Sequence, residues 1–388
     1  MIPKNRATST ELVDTPSLVF IGGDIRETMC FSLLRTQASD CRLLFPLKSL
    51  SLLPVLDVLC SRISGFAASS LFEAKLAREI TSGSKTVHYT SPGLRPDEID
   101  AIADLCDAIS FNSLSQLERF RNQIDGKCQI GLRVNTELSF VADKRYDPSR
   151  IPSKLGVPLS TLRGLVAAKS DEISGLSGIL IHSNCESEDF SQLLETVRQV
   201  EGHIPELLEQ IEWINLGGGY LFDETTDWGP FEESVKLLSG KYKLQVFFEP
   251  GRGIVGEAGY IVSSVLDIFD SGDKRMAVLD TTVNHMPEVF EYSYKPPVEQ
   301  EEPEGAYSYI LAGATCLTGD LFGEYSFAKP LEIGTKLVFR DMGAYTLVKA
   351  HMFNGINLPS IYVVGEDGKP ERVKSFDYQD FLARCGAK

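Results

Sequence analysis

The chain has 388 residues, 43% hydrophobic and 24% charged, with 54 acidic against 38 basic side chains and a formal net charge of −16. This is the composition of a globular protein large enough for more than one domain. Its acidity argues against nucleic acid as a partner, because phosphates need a basic footprint. No apolar run reaches the roughly 18–20 residues of a membrane span, and no basic stretch leading into an apolar one opens the chain. A cytoplasmic protein is therefore expected. Cys30, Cys41, Cys60, Cys106, Cys128, Cys185, Cys316 and Cys385 are scattered without a CxxC pair, which argues against a zinc ribbon and a disulfide framework.

In chain order, Thr15–Phe20 reads as a short strand. Eight more strands follow, most of them largely apolar: Leu43–Leu47, Ile63–Ala67, Thr86–Tyr89, Ala108–Phe111, Gln129–Val134, Ser177–Ile181, Glu212–Leu216 and Leu244–Phe248. Such runs suit parallel strands buried on both faces. Helix-like segments separate them, including Leu71–Ile80, Pro96–Leu105, Ser113–Arg121, Ser191–Val200 and Phe231–Leu238, and Ser113 stands three residues before Gln116 as in a capping box. An open doubly wound sheet produces the same alternation, but the count of eight favours an α/β fold of the (β/α)8 barrel type. After Gly256 the pattern turns to strands: Tyr260–Phe269, Met276–Leu279, Tyr307–Leu311, Lys336–Phe339 and Ser360–Val364. The expected division is a barrel over 23–254 and a C-terminal β-rich domain over 255–388, to which 1–22 contributes a strand. The charged, proline-rich stretch Lys295–Gly305 is expected to be exposed and mobile.

Polar residues gather where barrel strands end, and barrel active sites are built there. Lys48 follows the first strand, where desolvation would lower its pKa and make it nucleophilic; a solvent-facing loop lysine is the plain alternative. His182 ends the sixth strand and leads into Ser-Asn-Cys-Glu186. Its ring is suited to stacking on a flat cofactor, and a structural histidine is equally compatible. Adjacent His182, Cys185 and Glu186 converge poorly on one tetrahedral metal, so no metal site is read. Gly217-Gly218-Gly219 after the seventh strand lets backbone approach phosphate oxygens, or makes only a tight turn. Glu249-Pro-Gly-Arg252 after the eighth offers a carboxylate for a protonated ring nitrogen and a guanidinium for an anion, or a surface ion pair. In the β-rich part, Cys316-Leu-Thr-Gly-Asp320 places a thiol and a carboxylate on one loop, and Tyr345 follows a strand. Inert packing roles are the alternatives for Cys316 and Tyr345.

Taken together these residues, with Phe111-Asn-Ser-Leu-Ser-Gln-Leu117, Ser153-Lys-Leu-Gly-Val157, His182-Ser-Asn-Cys-Glu186 and Met352-Phe-Asn-Gly355, resemble the fold-type III pyridoxal-phosphate decarboxylases. That superfamily holds the ornithine and diaminopimelate enzymes, and the likeness is greatest to the carboxynorspermidine/carboxyspermidine branch. The resemblance spans about Thr15 to Phe376. It implies an alanine racemase-like barrel with a C-terminal β domain, and pyridoxal 5'-phosphate held by Lys48 as a Schiff base. It further implies His182 against the pyridine ring and Glu249 at the ring nitrogen. Gly217, Gly218, Gly219 and Tyr345 would bind the phosphate, assisted by Arg252. Cys316, as proton donor to Cα, and Asp320, holding a distal amine, would come from the second subunit of a homodimer with shared active sites. Glu186 and Arg252 join them as expected substrate contacts. The implied activity is decarboxylation of an amino acid, foremost the aminocarboxypropyl group of a polyamine-like substrate.

Three positions depart from the usual patterns. Pro46 stands where alanine is commoner, Arg252 where the carboxynorspermidine branch is acidic, and Leu317 where diaminopimelate enzymes carry glutamate. The substrate therefore stays open between carboxynorspermidine or carboxyspermidine, another carrier of the same group, and ornithine, arginine or diaminopimelate. A catalytically silent, cofactor-binding regulator is the reading from a different class.

Overall fold

The computed structural model describes residues 10–221 and 226–386, and for 30–35 and 37–38 the backbone alone. The chain divides into two compact units. One comprises Thr28–Lys48 and Leu56–Ile254; the other comprises the described residues of Met1–Glu27, Ser49–Val55 and Val255–Lys388.

The first unit is a closed barrel of eight parallel strands: Cys41–Pro46, Gly65–Ala68, Thr86–Tyr89, Ala108–Phe111, Gln129–Asn135, Gly178–Ile181, Trp213–Asn215 and Gln245–Phe248. Each pairs with the next in this order, and the eighth closes on the first through Val246↔Cys41 and Phe248↔Leu43. A two-residue strand, Val157–Pro158, pairs beside the fifth. Two of the helices between the strands start where a serine side chain satisfies one of their first amides. The Ser70 hydroxyl accepts from Glu73 N–H at 3.2 Å to begin Leu71–Thr81, and Ser113 does the same for Gln116 at 3.2 Å to begin Leu114–Ile124. The Gln116 side chain reaches past Ser113 and accepts from Asn112 N–H at 2.8 Å.

Because side chains alternate along a strand, every second residue of the barrel faces inward, and these form layers. Leu44, Ala67, Ala108, Trp213 and Phe247 cluster as one layer. His88 packs against Trp213 and Phe247 at ring distances of 5.0 and 4.5 Å. The indole occupies space that Gly131 and Gly178 leave open: a Cβ on Gly178 would stand 2.1 Å from Trp213 Cδ2. This aromatic layer plugs the barrel. Two residues further along the same inward rows lie Arg133, Asn215 and Glu249.

The second unit is a mixed eight-stranded sheet. From edge to edge its order is Leu321–Phe327, Tyr307–Ala312, Lys274–Leu279, Gly259–Ser271, Ser17–Ile21, Ser360–Val364 and Pro370–Lys374, and Lys336–Phe339 pairs with the start of Gly259–Ser271. Val13, Val19, Ile21, Tyr260, Val262, Val338, Tyr362 and Val364 form one of its buried clusters. The N-terminal strand expected from the sequence is thus central, antiparallel to Gly259–Ser271 and parallel to Ser360–Val364.

The expectation for Lys295–Gly305 is corrected in part: Lys295, Gln300, Glu302, Pro303 and Glu304 are exposed, but the stretch is also tied to the sheet. Pro296 and Val298 are buried, Glu299 N–H donates to Val338 O at 2.9 Å, and Arg340 N–H donates to Pro297 O at 2.9 Å. The Tyr325 hydroxyl donates to Pro296 O at 2.7 Å, and Lys295 Nζ stands 4.2 Å from the Tyr325 ring. Apolar Val298 anchors the stretch against the sheet, and of its glutamates Glu302 and Glu304 are exposed while Glu299 and Glu301 are half-buried. Among the described residues no helix is long and apolar enough to cross a membrane.

Candidate active site at the barrel mouth

The C-terminal ends of the barrel strands bring together Lys48, His182, Glu249, Gly217, Gly218 and Gly219, with Arg133, Asn215 and Glu73 among them. Lys48 follows the first strand. Solvent reaches it, yet protein surrounds it, as befits a side chain standing in a concave mouth. That enclosure pushes its ammonium below the ordinary lysine range; Glu249 opposes the shift, and the Arg133 charge adds to it.

Glu249 is 8% exposed, and burial raises its carboxyl pKa against the pull of Lys48, the Asn215 hydrogen bond and Arg133. Asn215, 0% exposed, fixes its geometry. Nδ2 donates to Glu249 Oε1 at 2.6 Å, and Oδ1 accepts from Gly217 N–H at 2.9 Å. The Glu249 N–H closes the loop by donating to Gly217 O at 2.6 Å. Arg133, inside the fifth strand, is lowered to about 10 by burial, with Glu249 working the other way. Glu73 approaches from the helix after the second strand. Burial raises its carboxyl, while an N–H bond from Ser69 at 2.7 Å and the Lys48 charge hold it down.

His182 is driven well below 6.5 by burial first, then by Lys48 and Arg133. Gly218 N–H donates to His182 Nδ1 at 3.1 Å. A backbone donor can meet only an unprotonated ring nitrogen, so the neutral ring carries its proton on Nε2. These bonds also divide the glycine triplet. The Gly217 and Gly218 amides are spent inside the mouth, on Asn215 and His182, and Gly219 N–H has no acceptor among the described residues. A Cβ on Gly218 would sit 2.0 Å from Glu249 O, and Gly219 holds φ +91 with its Cβ position 2.1 Å from Asn184 O. Only glycine allows both approaches.

Arg252 and Glu186 meet each other: Nε and Oε1 are 2.7 Å apart, with Glu186 in a left-handed conformation at φ 53. The pair joins the loop after the sixth strand to the loop after the eighth.

Cys316, Asp320 and Tyr345 lie in the β unit. Cys316 is exposed, and none of the seven described cysteines forms a disulfide; Cys30 falls among residues whose side chains lie outside the described set. Asp320 is 3% exposed, and both its carboxylate oxygens accept bonds within its own unit: Oδ1 from Val283 N–H at 2.8 Å, Oδ2 from Thr315 N–H at 3.1 Å and from the Thr315 hydroxyl. Tyr345 adopts φ 62 before the short helix Thr346–Lys349, and its N–H donates to Ser49 O at 2.8 Å.

Reading the sequence missed Arg133, Asn215 and Glu73. The first two stand within strands rather than after them, and their signal was a polar residue on the inward register: Arg133 in QIGLRVN and Asn215 in WIN. Glu73 carried a capping signature only.

The donor set fits a phosphorylated pyridine aldehyde. It offers an amine of lowered pKa, a carboxylate deep in the mouth, a neutral imidazole beside the amine, and an unspent glycine N–H at a strand end. Known proteins agree. Residues 24–256 match the model of the pyridoxal-dependent decarboxylase, pyridoxal binding domain. The chain is 36% identical to carboxyaminopropylagmatine decarboxylase of Synechocystis sp. over 90% of each chain. It is 33% identical to carboxynorspermidine/carboxyspermidine decarboxylase of Herminiimonas arsenicoxydans, over 89% of this chain and 92% of that one. The crystal structure of carboxynorspermidine decarboxylase from Campylobacter jejuni, complexed with norspermidine, superposes with a TM-score of 0.87 at 30% identity, covering 96% of this chain and 100% of that one. With the barrel, the mouth residues and these similarities in agreement, the chain belongs to the fold-type III pyridoxal-phosphate-dependent decarboxylases.

Proposed function

We propose that the protein decarboxylates an α-amino acid whose side chain is a polyamine-like carrier, of the carboxyaminopropylagmatine or carboxynorspermidine/carboxyspermidine type. The observation that carries this reading is the convergence of Lys48, His182 and Glu249 on one mouth, in a chain similar along nearly its whole length to enzymes named for those substrates. Bound pyridoxal phosphate supplies the electron sink that makes loss of CO2 from Cα feasible.

The chain's own residues prepare that chemistry. Lys48, with its depressed pKa, gives up its proton more readily than an ordinary lysine and would hold the cofactor's aldehyde carbon. Glu249 keeps a proton at the pyridine nitrogen, and Asn215 aims it. His182, kept neutral, would stack on the ring without placing a positive charge there. Gly219 N–H and Arg252 would take the phosphate, while Gly217 and Gly218 shape the cradle. Cys316 Sγ delivers the proton to Cα. We place Cys316 in the site of a second copy of the chain, so that the active unit is a homodimer. Glu186 and Arg252 line the entry to the mouth as substrate contacts. Free cysteines accord with a cytoplasmic setting.

The deciding experiment is CO2 release measured over carboxyaminopropylagmatine, carboxynorspermidine, carboxyspermidine, ornithine, arginine and diaminopimelate. One of the first three should lead; a lead by any of the last three overturns the assignment. Absorbance of the bound cofactor should change in Lys48→Ala, and an unchanged spectrum would remove Lys48 from its role. Mixing Lys48→Ala with Cys316→Ala protein should restore part of the activity, and no recovery would count against shared sites.

A further inference from the structure

The loop carrying Cys316 is held at three successive amides by three side chains. Thr315 N–H donates to Asp320 Oδ2 at 3.1 Å, Cys316 N–H to Asn354 Oδ1 at 2.8 Å, and Leu317 N–H to Thr315 Oγ1 at 3.4 Å. Gly313 is part of the same arrangement, since a Cβ there would stand 2.2 Å from Asp320 Oδ1.

These contacts close a triangle of segments. Asp320 Oδ1 accepts from Val283 N–H at 2.8 Å and Thr281 O from Ala314 N–H at 3.0 Å, tying the Cys316 loop to 281–284. Asn284 O accepts from His351 N–H at 3.1 Å, tying 281–284 to the turn Phe353–Gly355. Asn354 completes the figure from that turn. It sits at φ 55, a left-handed conformation that asparagine tolerates better than most residues.

We infer that Asn354 is a positioning residue for Cys316, and that Asp320 organises the same loop rather than binding substrate. Cys316 is exposed, so packing alone does not orient it. Its direction is set by its backbone, and that backbone is fixed by one acceptor at residue 316 and one at residue 315. The functional meaning rests on the proposed role of Cys316 as proton donor; the clamp itself does not.

Two variants separate backbone from acceptor. Asn354→Gly keeps the left-handed turn and removes the acceptor, while Asn354→Asp keeps both and adds a charge. In the apo protein, hydrogen exchange at the Cys316 amide should speed about tenfold or more in Asn354→Gly, as for a lost hydrogen bond, and stay near wild type in Asn354→Asp. In the loaded enzyme Asn354→Gly should lower kcat with little change in KM. Unchanged exchange at Cys316 in Asn354→Gly overturns the inference. A Cys316→Ala enzyme that protonates Cα at the wild-type rate would instead sink the proton-donor reading, and the exchange result would still decide the clamp. For Asp320, Asp320→Asn should raise exchange at Thr315; an unchanged Thr315 amide with a raised KM would return Asp320 to substrate binding.

Discussion

Replacing Asn215 with alanine tests the mouth at its most buried polar contact. The substitution deletes the 2.6 Å bond to Glu249 and strands the Gly217 N–H that Asn215 accepts at 2.9 Å. A hydrogen bond to a charged acceptor contributes about 1.5–3 kcal/mol, and a buried donor left without a partner costs about 1–3 kcal/mol, giving about 2.5–6 kcal/mol together. The two parts respond differently to pH. Burial raises the Glu249 pKa and the Asn215 bond opposes the rise, so removing Asn215 lifts it further. A raised folded pKa means that the native state binds more protons than the unfolded chain between the two values. Stability from this group is therefore present below the unfolded pKa and lost as pH rises through the window to the folded one. The Glu249 part of the loss is thus largest at pH 8 and fades toward the unfolded carboxylate value of about 4.3, whereas the Gly217 part persists. Urea unfolding of the apo protein followed by tryptophan fluorescence reads this directly, because both tryptophans, Trp213 and Trp228, belong to the barrel unit. A loss below about 1 kcal/mol at pH 8, or one that grows on acidification, would refute the reasoning.

Gly178→Ala would drive a methyl group to 2.1 Å from the Trp213 ring, and overpacking of the plug should cost about 1–3 kcal/mol or more in the same unfolding assay; wild-type stability would mean the indole can give way. Gly218→Ala meets backbone rather than a ring, 2.0 Å from Glu249 O, so it should displace the eighth strand end and weaken cofactor retention, seen as loss of bound-cofactor absorbance on dialysis. His182 should show no protonation between pH 6 and 8 by NMR and should keep its proton on Nε2; titration near 6.5 would contradict its enclosure. Val298→Ala should cost about 1–3 kcal/mol and speed proteolysis within 295–305, and unaltered proteolysis would show that the backbone bonds alone secure the stretch.

The barrel was legible because parallel strands buried on both faces read as near-continuous apolar runs, and eight such runs survive in the chain with their ends displaced by only a residue or two. The β unit was less so. Leu321–Phe327 escaped notice because its buried aromatics, Phe322, Tyr325 and Phe327, do not keep a period of two. An irregularity opposite Leu311 and Ala312 shifts the register between them. Pro370–Lys374 is a mostly exposed edge strand with little apolar signal. Lys295–Gly305 misled for the opposite reason, since its glutamates and prolines conceal two buried anchors.

The candidate site divides along the same physical line. Lys48, His182 and Glu249 stand where an apolar run gives way to polar residues, a contrast visible in composition alone. Arg133 and Asn215 interrupt strands that were expected to be apolar, and only the alternation of faces gives them meaning. From Trp213, whose ring fills the barrel, the next inward positions are Asn215 and Gly217; from Phe247 the next is Glu249. A row that begins in the aromatic plug must end at the mouth, so two-residue steps convert a core assignment into a site assignment. The loop of Cys316 offers no such row. Asp320 and Asn354 are 34 residues apart, and whether a carboxylate at one faces outward or caps Thr315 depends on backbone turns that the local sequence does not specify. The thiol is easy to notice in the chain. The groups that aim it become visible only when segments 281–284, 314–320 and 351–355 are brought together.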